Sequence, residues 1–195
     1  MLSSLVNVSL SQIYQKVRAS VREMGLLLGF ATLTAVGAKI KLEIGVVPIT
    51  FQTLFVILSG AFLGSRKGAL SQLIYLLMGV MGIPWFSRGG GIGYIFSPTF
   101  GYIVGFVLGA FVVGWFFEKN FFPSFPNTLL AFFVGNFILY LPGLLWLGKF
   151  VGWERVLMIG FYPFVLGDLL KIFLASLFIL GREFLKVEKN KNLSS

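Results

Sequence analysis

The chain's single aspartate, Asp168, stands three residues before Lys171 in the run Pro163-Phe-Val-Leu-Gly-Asp168-Leu-Leu-Lys171-Ile-Phe-Leu-Ala-Ser-Leu-Phe-Ile-Leu-Gly181. No other residue of that run is ionisable. Positions i and i+3 share a helix face, so the two charges can act together. A charge at the centre of a bilayer-length apolar segment costs at least about 2.5 kcal/mol, and such residues turn towards a bundle interior, a partner or a ligand. A carboxylate accepts from N–H groups, and an ammonium donates to a carbonyl or carboxylate. The pair is therefore either a salt bridge that fixes helix packing or a ligand contact, and its place in the membrane favours the ligand.

Arg88 lies in Phe86-Ser-Arg88-Gly-Gly-Gly-Ile-Gly93-Tyr94. Glycines permit close backbone approach to a ligand, and a guanidinium over a pocket suits an anionic group through a bidentate contact. An exposed loop charge is the alternative. Trp85, Phe86 and Tyr94 suit either a membrane interface or pocket walls, Trp85 more the interface. Gln52, Thr53, Asn136 and Tyr140 are polar groups inside apolar segments, and Asn136 and Tyr140, four apart, share a helix face.

The composition sets the chemistry available. At 195 residues, 57% hydrophobic and 12% charged, the chain is too apolar for a typical soluble domain and has the size of one integral membrane domain. It has no cysteine and no histidine, which excludes disulfides, thiolate catalysis, His-type metal sites and Ser-His-Asp triads. The net charge of +9 comes from basic residues at segment ends and tails, a pattern of membrane orientation and not of nucleic-acid binding. The first 20 residues lack the features of a cleavable signal peptide.

A membrane helix needs about 20 mostly apolar residues. Six candidates follow, at residues 24–44, 50–64, 67–83, 98–117, 127–148 and 162–181, giving an all-α bundle of six transmembrane helices. Breaks fall at Gly64 to Gly68, at the glycine-rich stretch from Pro84 to Pro98, and at Pro123, Pro126 and Asn127. Pro163 suits the first turn of the sixth helix, and residues 149–161 read as a short interfacial helix or loop. The organisation expected is a cytoplasmic N-terminal segment at 1–23, a membrane domain at 24–182 and a basic cytoplasmic tail at 183–195. Ile13, Val17 and Val21 recur at helical spacing among Lys16, Arg18 and Arg22, which suits an interfacial amphipathic helix. Ten basic residues lie on the side of the termini and five on the other. The positive-inside rule then makes both termini cytoplasmic. Asp168 comes to lie one to two turns below the outer surface, near a helix N-terminus that favours its ionised form.

Gly101, Gly105 and Gly109 form a doubled GxxxG, and Ala31 and Ala35 a small-xxx-small pair. Both patterns indicate tight helix packing, within the chain or against another. Gly143 to Phe150 mimics a phosphate loop but ends in Phe where Ser or Thr is required, its interior is apolar and no strand precedes it. ATP chemistry must come from elsewhere.

Five stretches together resemble the BioY family, the biotin-specific substrate-binding (S) components of energy-coupling factor (ECF) transporters. They are Val47-Pro-Ile-Thr-Phe-Gln52-Thr-Leu-Phe-Val56 with Gly60-Ala-Phe-Leu-Gly64, Gly68-Ala-Leu-Ser-Gln72-Leu-Ile-Tyr75-Leu-Leu-Met-Gly79, Gly93-Tyr-Ile-Phe-Ser-Pro98-Thr-Phe-Gly101-Tyr-Ile-Val-Gly105-Phe, and Pro163 to Lys171. The resemblance covers residues 25–182. It implies a six-helix substrate-binding component, not an enzyme, in a prokaryotic cell membrane. It further implies a transmembrane coupling subunit, two ATPase subunits and membrane lipid as partners, and no cofactor besides biotin as the transported ligand. Asp168 and Lys171 match the family's ligand-binding pair, and Ala31 to Ala35 its surface for the coupling subunit. On this reading Asp168 accepts from a ureido N–H, Lys171 donates to a ureido oxygen or the carboxylate, Arg88 pairs with the carboxylate, and Tyr94 and Phe86 cover the ring. Gln52, Asn136 and Tyr140 complete the expected site. The same scaffold specific for another vitamin or small organic acid is the close alternative. An intramembrane enzyme and a structural membrane protein are the more distant ones.

Overall fold

The computed structural model describes residues 2–119 and 124–194, so the expected break at Pro123 lies outside the described residues. Among the described residues six long helices form the bundle: α1 (Leu2–Lys39), α2 (Gln52–Leu63), α3 (Ser65–Val80), α4 (Phe100–Glu118), α5 (Phe125–Val151) and α7 (Tyr162–Ser194), with a short α6 (Val156–Gly160) before the last. Strands β1 (Lys41–Leu42) and β2 (Ile49–Thr50) pair antiparallel between α1 and α2, with Lys41 opposite Thr50 and Leu42 opposite Ile49. A 3-10 turn, Ile92–Phe96, precedes α4. Among the described residues, four segments are long and apolar enough to cross a membrane: Tyr14–Lys39, Phe100–Glu118, Phe125–Val151 and Val156–Arg182.

The bundle is apolar on its outside, and its largely apolar core also holds the polar groups that face inward. Buried polar residues include Thr34, Gln52, Ser59, Gln72, Asn136, Asp168 and Lys171, while Leu166, Leu170, Phe173 and Phe178 of α7 are exposed. In hydrocarbon, outward apolar side chains cost nothing, and polar groups must be satisfied within the protein. Phe164, Asp168, Lys171, Ile172, Ala175 and Ile179 are all buried and make the inward stripe of α7 at helical spacing. Pro163 is the second residue of that helix, where its missing N–H removes no internal bond.

The glycines of α4 close the core seam. A Cβ on Gly105 would strike the backbone of Leu139, and one on Gly109 would crowd the carbonyl of Gly135. The doubled GxxxG is thus a seam between α4 and α5 inside this chain. Gly64, at φ 79°, ends α2 and begins α3 in a single residue. Twelve residues make α2 about 18 Å long, short of the roughly 30 Å hydrocarbon thickness.

Three expectations change. The first helix stops at Lys39, and residues 41–44, expected to continue it, enter the β-hairpin instead. Leu42 and Ile44 look like helix continuation by composition, yet both are exposed and the strand pairing takes the backbone. Second, α1 is continuous through residues 3–23, with no break before the expected span, and Val17 and Val21 are exposed along with their basic neighbours. Third, Ala31 and Ala35 face inward, at 0% and 6% exposure, in the core that also holds Val56 and Tyr75. They are helix-packing residues and do not lie on an outer docking surface; Leu33 and Val36 occupy the exposed face of α1.

Candidate ligand-binding site

A cavity of about 520 Å³, its open mouth included, lies where the hairpin, the start of α2, the loop before α4, α4 itself, α5 and the start of α7 meet. Val47, Pro48, Ile103, Phe106, Leu139 and Phe164 supply apolar wall. Asp168, Lys171, Thr50, Gln52 and Thr53 supply one polar side, and Ser87, Tyr94 and Thr99 another. Tyr102 and Tyr140 complete the lining. An apolar chamber with a few placed polar groups suits a small organic molecule with polar ends.

Asp168 and Lys171 are a buried ion pair, with Nζ 2.9 Å from Oδ1. The same Oδ1 accepts from Thr53 Oγ1 at 3.1 Å. Oδ2 accepts from Asn136 Nδ2 at 3.1 Å and from the Tyr140 hydroxyl. Lys171 Nζ also donates to the Thr50 carbonyl at 2.7 Å and to Thr53 Oγ1 at 3.1 Å. An ammonium has three protons and a carboxylate about four lone-pair sites, so both charges are saturated by their own protein. A saturated pair resists desolvation, whereas removing one partner strands a buried charge. Asn136 and Tyr140 share a face as their spacing indicated, and together they hold one oxygen of Asp168.

Gln52 is held by two further bonds. Its Oε1 accepts from Thr50 Oγ1 at 2.9 Å, and its Nε2 donates to the Tyr75 hydroxyl at 2.7 Å. Tyr75 then donates to the Trp85 carbonyl at 3.3 Å, which joins the hairpin, α3 and the loop after it.

That loop is strapped to the hairpin. Lys39 Nζ donates to the Phe86 carbonyl at 2.8 Å, and Lys41 Nζ to the Ser87 carbonyl at 2.7 Å. In return Arg88 donates to the carbonyls of Val46 and Gly45 at 3.0 and 3.2 Å. Glu43 pairs with Lys41 and lies 3.9 Å from Arg88. The hydrogen bond from Lys41 holds the Glu43 carboxyl below its ordinary range.

The expected site residues thus separate into groups. Asp168, Lys171, Gln52, Tyr94 and Tyr140 line the cavity, and Asn136 supports Asp168 from behind. Arg88 does not line it: its guanidinium turns onto the hairpin carbonyls, the nearest acceptors for a partly exposed cation. Phe86 is fully buried behind the wall, its ring centroid 4.5 Å from that of Tyr94, so it supports Tyr94 and covers no ligand directly. Thr50, Thr53, Ser87, Thr99 and Tyr102 line the cavity outside the expected site, Thr53 having stood out only as a polar group in an apolar segment. Thr50 acts partly through its carbonyl, which carries no side-chain signal. Ser87 and Thr99 sit in irregular loop, where spacing says nothing about facing; Ser87 is adjacent to Arg88, and that proximity was the one available hint.

The pattern of the BioY family matches residues 11–186 of this chain. The biotin transporter BioY of Thermotoga maritima is 40% identical over 162 residues, which cover 82% of this chain and 95% of that protein. The biotin transporter BioY of Rhizobium etli is 36% identical over 175 residues, covering 84% of this chain and 92% of that one. Among solved structures, the S-component for biotin from an ECF-type ABC transporter has the same fold, with a TM-score of 0.74 over 83% of this chain and 90% of that chain at 21% identity. A match along nearly the whole membrane domain, with relatives similar over most of both lengths, means that this chain belongs to the BioY family.

Proposed function

We propose that this chain captures biotin in the membrane as the substrate-binding subunit of an ECF-type importer. The observation that carries the reading is the buried Asp168–Lys171 pair in the wall of a cavity that also offers apolar surface and hydroxyl groups. Biotin has a ureido group with two N–H donors and a carbonyl, an apolar thioether ring and a carboxylate, and the cavity supplies groups complementary to each. Because the charged pair is already saturated, a ligand engages it by exchange. A ureido N–H takes the place of the Thr53 hydroxyl on Asp168, and a ligand oxygen takes one of the Lys171 protons. Such exchange keeps Asp168 and Lys171 saturated while the apolar ring is buried.

The subunit catalyses no reaction and depends on ECF partner subunits. We assign it a transmembrane coupling subunit and two ATPase subunits, with both termini cytoplasmic and the cavity opening outward. The ten-to-five distribution of basic residues supports that orientation. The exposed face of α1, with Leu33 and Val36, and not the buried Ala31 and Ala35, is the part of that helix available to the coupling subunit.

Isothermal titration of the purified protein with biotin tests the reading. Saturable biotin binding that is lost in Asp168→Asn and Lys171→Ala is expected. Unchanged affinity in both variants would sink the assignment, and binding of a different vitamin in place of biotin would redirect it.

A further inference from the structure

The cavity has a second polar surface that the charged pair does not reach. Ser87, Tyr94 and Thr99 are each buried, at 7%, 8% and 6% exposure, and all three line the cavity. They are joined in a chain of hydroxyls that begins at Ser97. Thr99 Oγ1 donates to the Tyr94 hydroxyl at 3.1 Å. Thr99 has one hydroxyl proton, so its 2.9 Å contact with Ser97 Oγ takes the Ser97 proton. The 3.2 Å contact between Tyr94 and Ser87 takes one more. Four hydroxyls hold four protons, and the three contacts among them use three. Whichever of Tyr94 and Ser87 donates to the other, one O–H proton remains, and it lies on a residue of the cavity wall.

This spare donor contrasts with Lys171, whose three protons are all engaged within the protein. The chain is also held in place from outside the cavity. Trp146 Nε1 donates to the Ser97 carbonyl at 3.0 Å, Lys41 Nζ to the Ser87 carbonyl at 2.7 Å, and Phe86 packs on Tyr94. Successive hydroxyls oriented in one direction polarise one another, which strengthens the terminal donor. A donor fixed by packing is ready for its acceptor without reorganisation.

We propose that Ser87, Tyr94 and Thr99 form a second ligand subsite, which donates a hydrogen bond to an acceptor oxygen of the ligand, a carboxylate or a ring carbonyl. The proposal rests on the biotin reading above. In it Ser87 and Tyr94 touch the ligand, and Thr99 is a positioning residue that fixes the direction of the chain. The subsite takes over, within the cavity, the role that Arg88 cannot perform while it holds the hairpin carbonyls.

The test is titration calorimetry on the full chain in detergent with three probes: biotin, biotin methyl ester and 2-thiobiotin. The ester removes the carboxylate charge, and the thio compound replaces the ring carbonyl oxygen by a weaker acceptor. Tyr94→Phe and Ser87→Ala are each expected to weaken biotin binding by about 5- to 50-fold, the span of one hydrogen bond to a neutral or charged acceptor. Thr99→Val should give a smaller loss. The Tyr94→Phe penalty should shrink for the probe whose acceptor at that site is weakened: the ester, which keeps only a neutral carbonyl, if the carboxylate is bound there, the thio compound if the ring carbonyl is. Ser87→Ala guards against misfolding of Tyr94→Phe, because it deletes only one hydroxyl at a loop position. Biotin binding within twofold of wild type in both variants overturns the subsite while leaving the biotin reading intact. A penalty equal for all three probes also overturns it, because an effect through general structure does not distinguish acceptors. If the unaltered chain binds no biotin, the functional reading fails and takes the subsite with it.

Discussion

Lys171 Nζ lies 2.9 Å from Asp168 Oδ1, and its other two protons go to the Thr50 carbonyl and Thr53 Oγ1. The pair thus ties α7 to β2 and the start of α2 while forming part of the cavity wall. One set of atoms serves both stability and recognition, and the two roles separate under substitution.

Breaking the pair one residue at a time strands a charge. Asp168→Ala or Lys171→Met is expected to cost about 3–5 kcal/mol, whereas the double substitution Asp168→Leu with Lys171→Met should restore much of that loss. Biotin binding should be absent from all three proteins. Thermal unfolding in detergent read alongside calorimetry checks this; a double variant that binds biotin normally would show that the charges serve packing alone.

Thr53 bridges the two charges, accepting from Lys171 and donating to Asp168. Thr53→Val keeps the shape and removes the bridge, so a destabilisation of about 1–3 kcal/mol is expected. If the exchange mechanism holds, this variant loses more stability in the unliganded state than in the biotin-bound state. The melting shift produced by saturating biotin should therefore be larger in Thr53→Val than in the unaltered chain, and an equal or smaller shift counts against exchange.

The loop strap depends on Arg88 and its two carbonyl acceptors. Arg88→Ala is expected to raise hydrogen exchange across residues 40–50 several-fold, with the buried helices unaffected. Unchanged protection of the hairpin would mean that the strap has no role in holding it.

Glu43 gives that strap a pH dependence. Its carboxyl is held below the ordinary value of 4.5, first by the hydrogen bond from Lys41 and then by that lysine's charge. A lowered folded-state value stabilises above the unfolded value, and the contribution disappears as pH falls through the lowered one. Hairpin protection, corrected for intrinsic exchange, should therefore fall as the pH drops below about 4.5. Glu43→Gln should remove that step, and a variant that keeps it would assign the titration to another group.

The seam between α4 and α5 has no room for a side chain at Gly105, where the Leu139 backbone lies against it. Gly105→Leu is expected to abolish folding, whereas Leu166→Ala, at an 81% exposed position on α7, should change stability by less than about 0.5 kcal/mol. Yield of monodisperse protein from membranes separates the two; a well-folded Gly105→Leu protein would contradict the close approach.

Asp168 and Lys171 could be picked out from residue order alone, because a charge in a bilayer-length apolar run is costly enough to require a reason. The helix count, the turn at Gly64 and the small-residue seam on α4 were legible on similar grounds: each follows from local chemistry. The facing of side chains was not. In a membrane bundle both the core and the lipid side accept apolar residues, so no amphipathic contrast shows that Ala31 and Ala35 turn inward. Nor could composition show that the chain turns into a hairpin after Lys39, since Leu42 and Ile44 suit a helix end equally well. Arg88 is drawn to backbone carbonyls 42 and 43 positions away, and Lys171 to one 121 positions away. Every residue carries such a carbonyl, so its identity as a partner has no trace in residue type. Order along the chain thus named the costly charges and the family; folding alone decided what saturates those charges, and it brought together the hydroxyls of Ser87, Tyr94 and Thr99 that leave one donor free in the cavity.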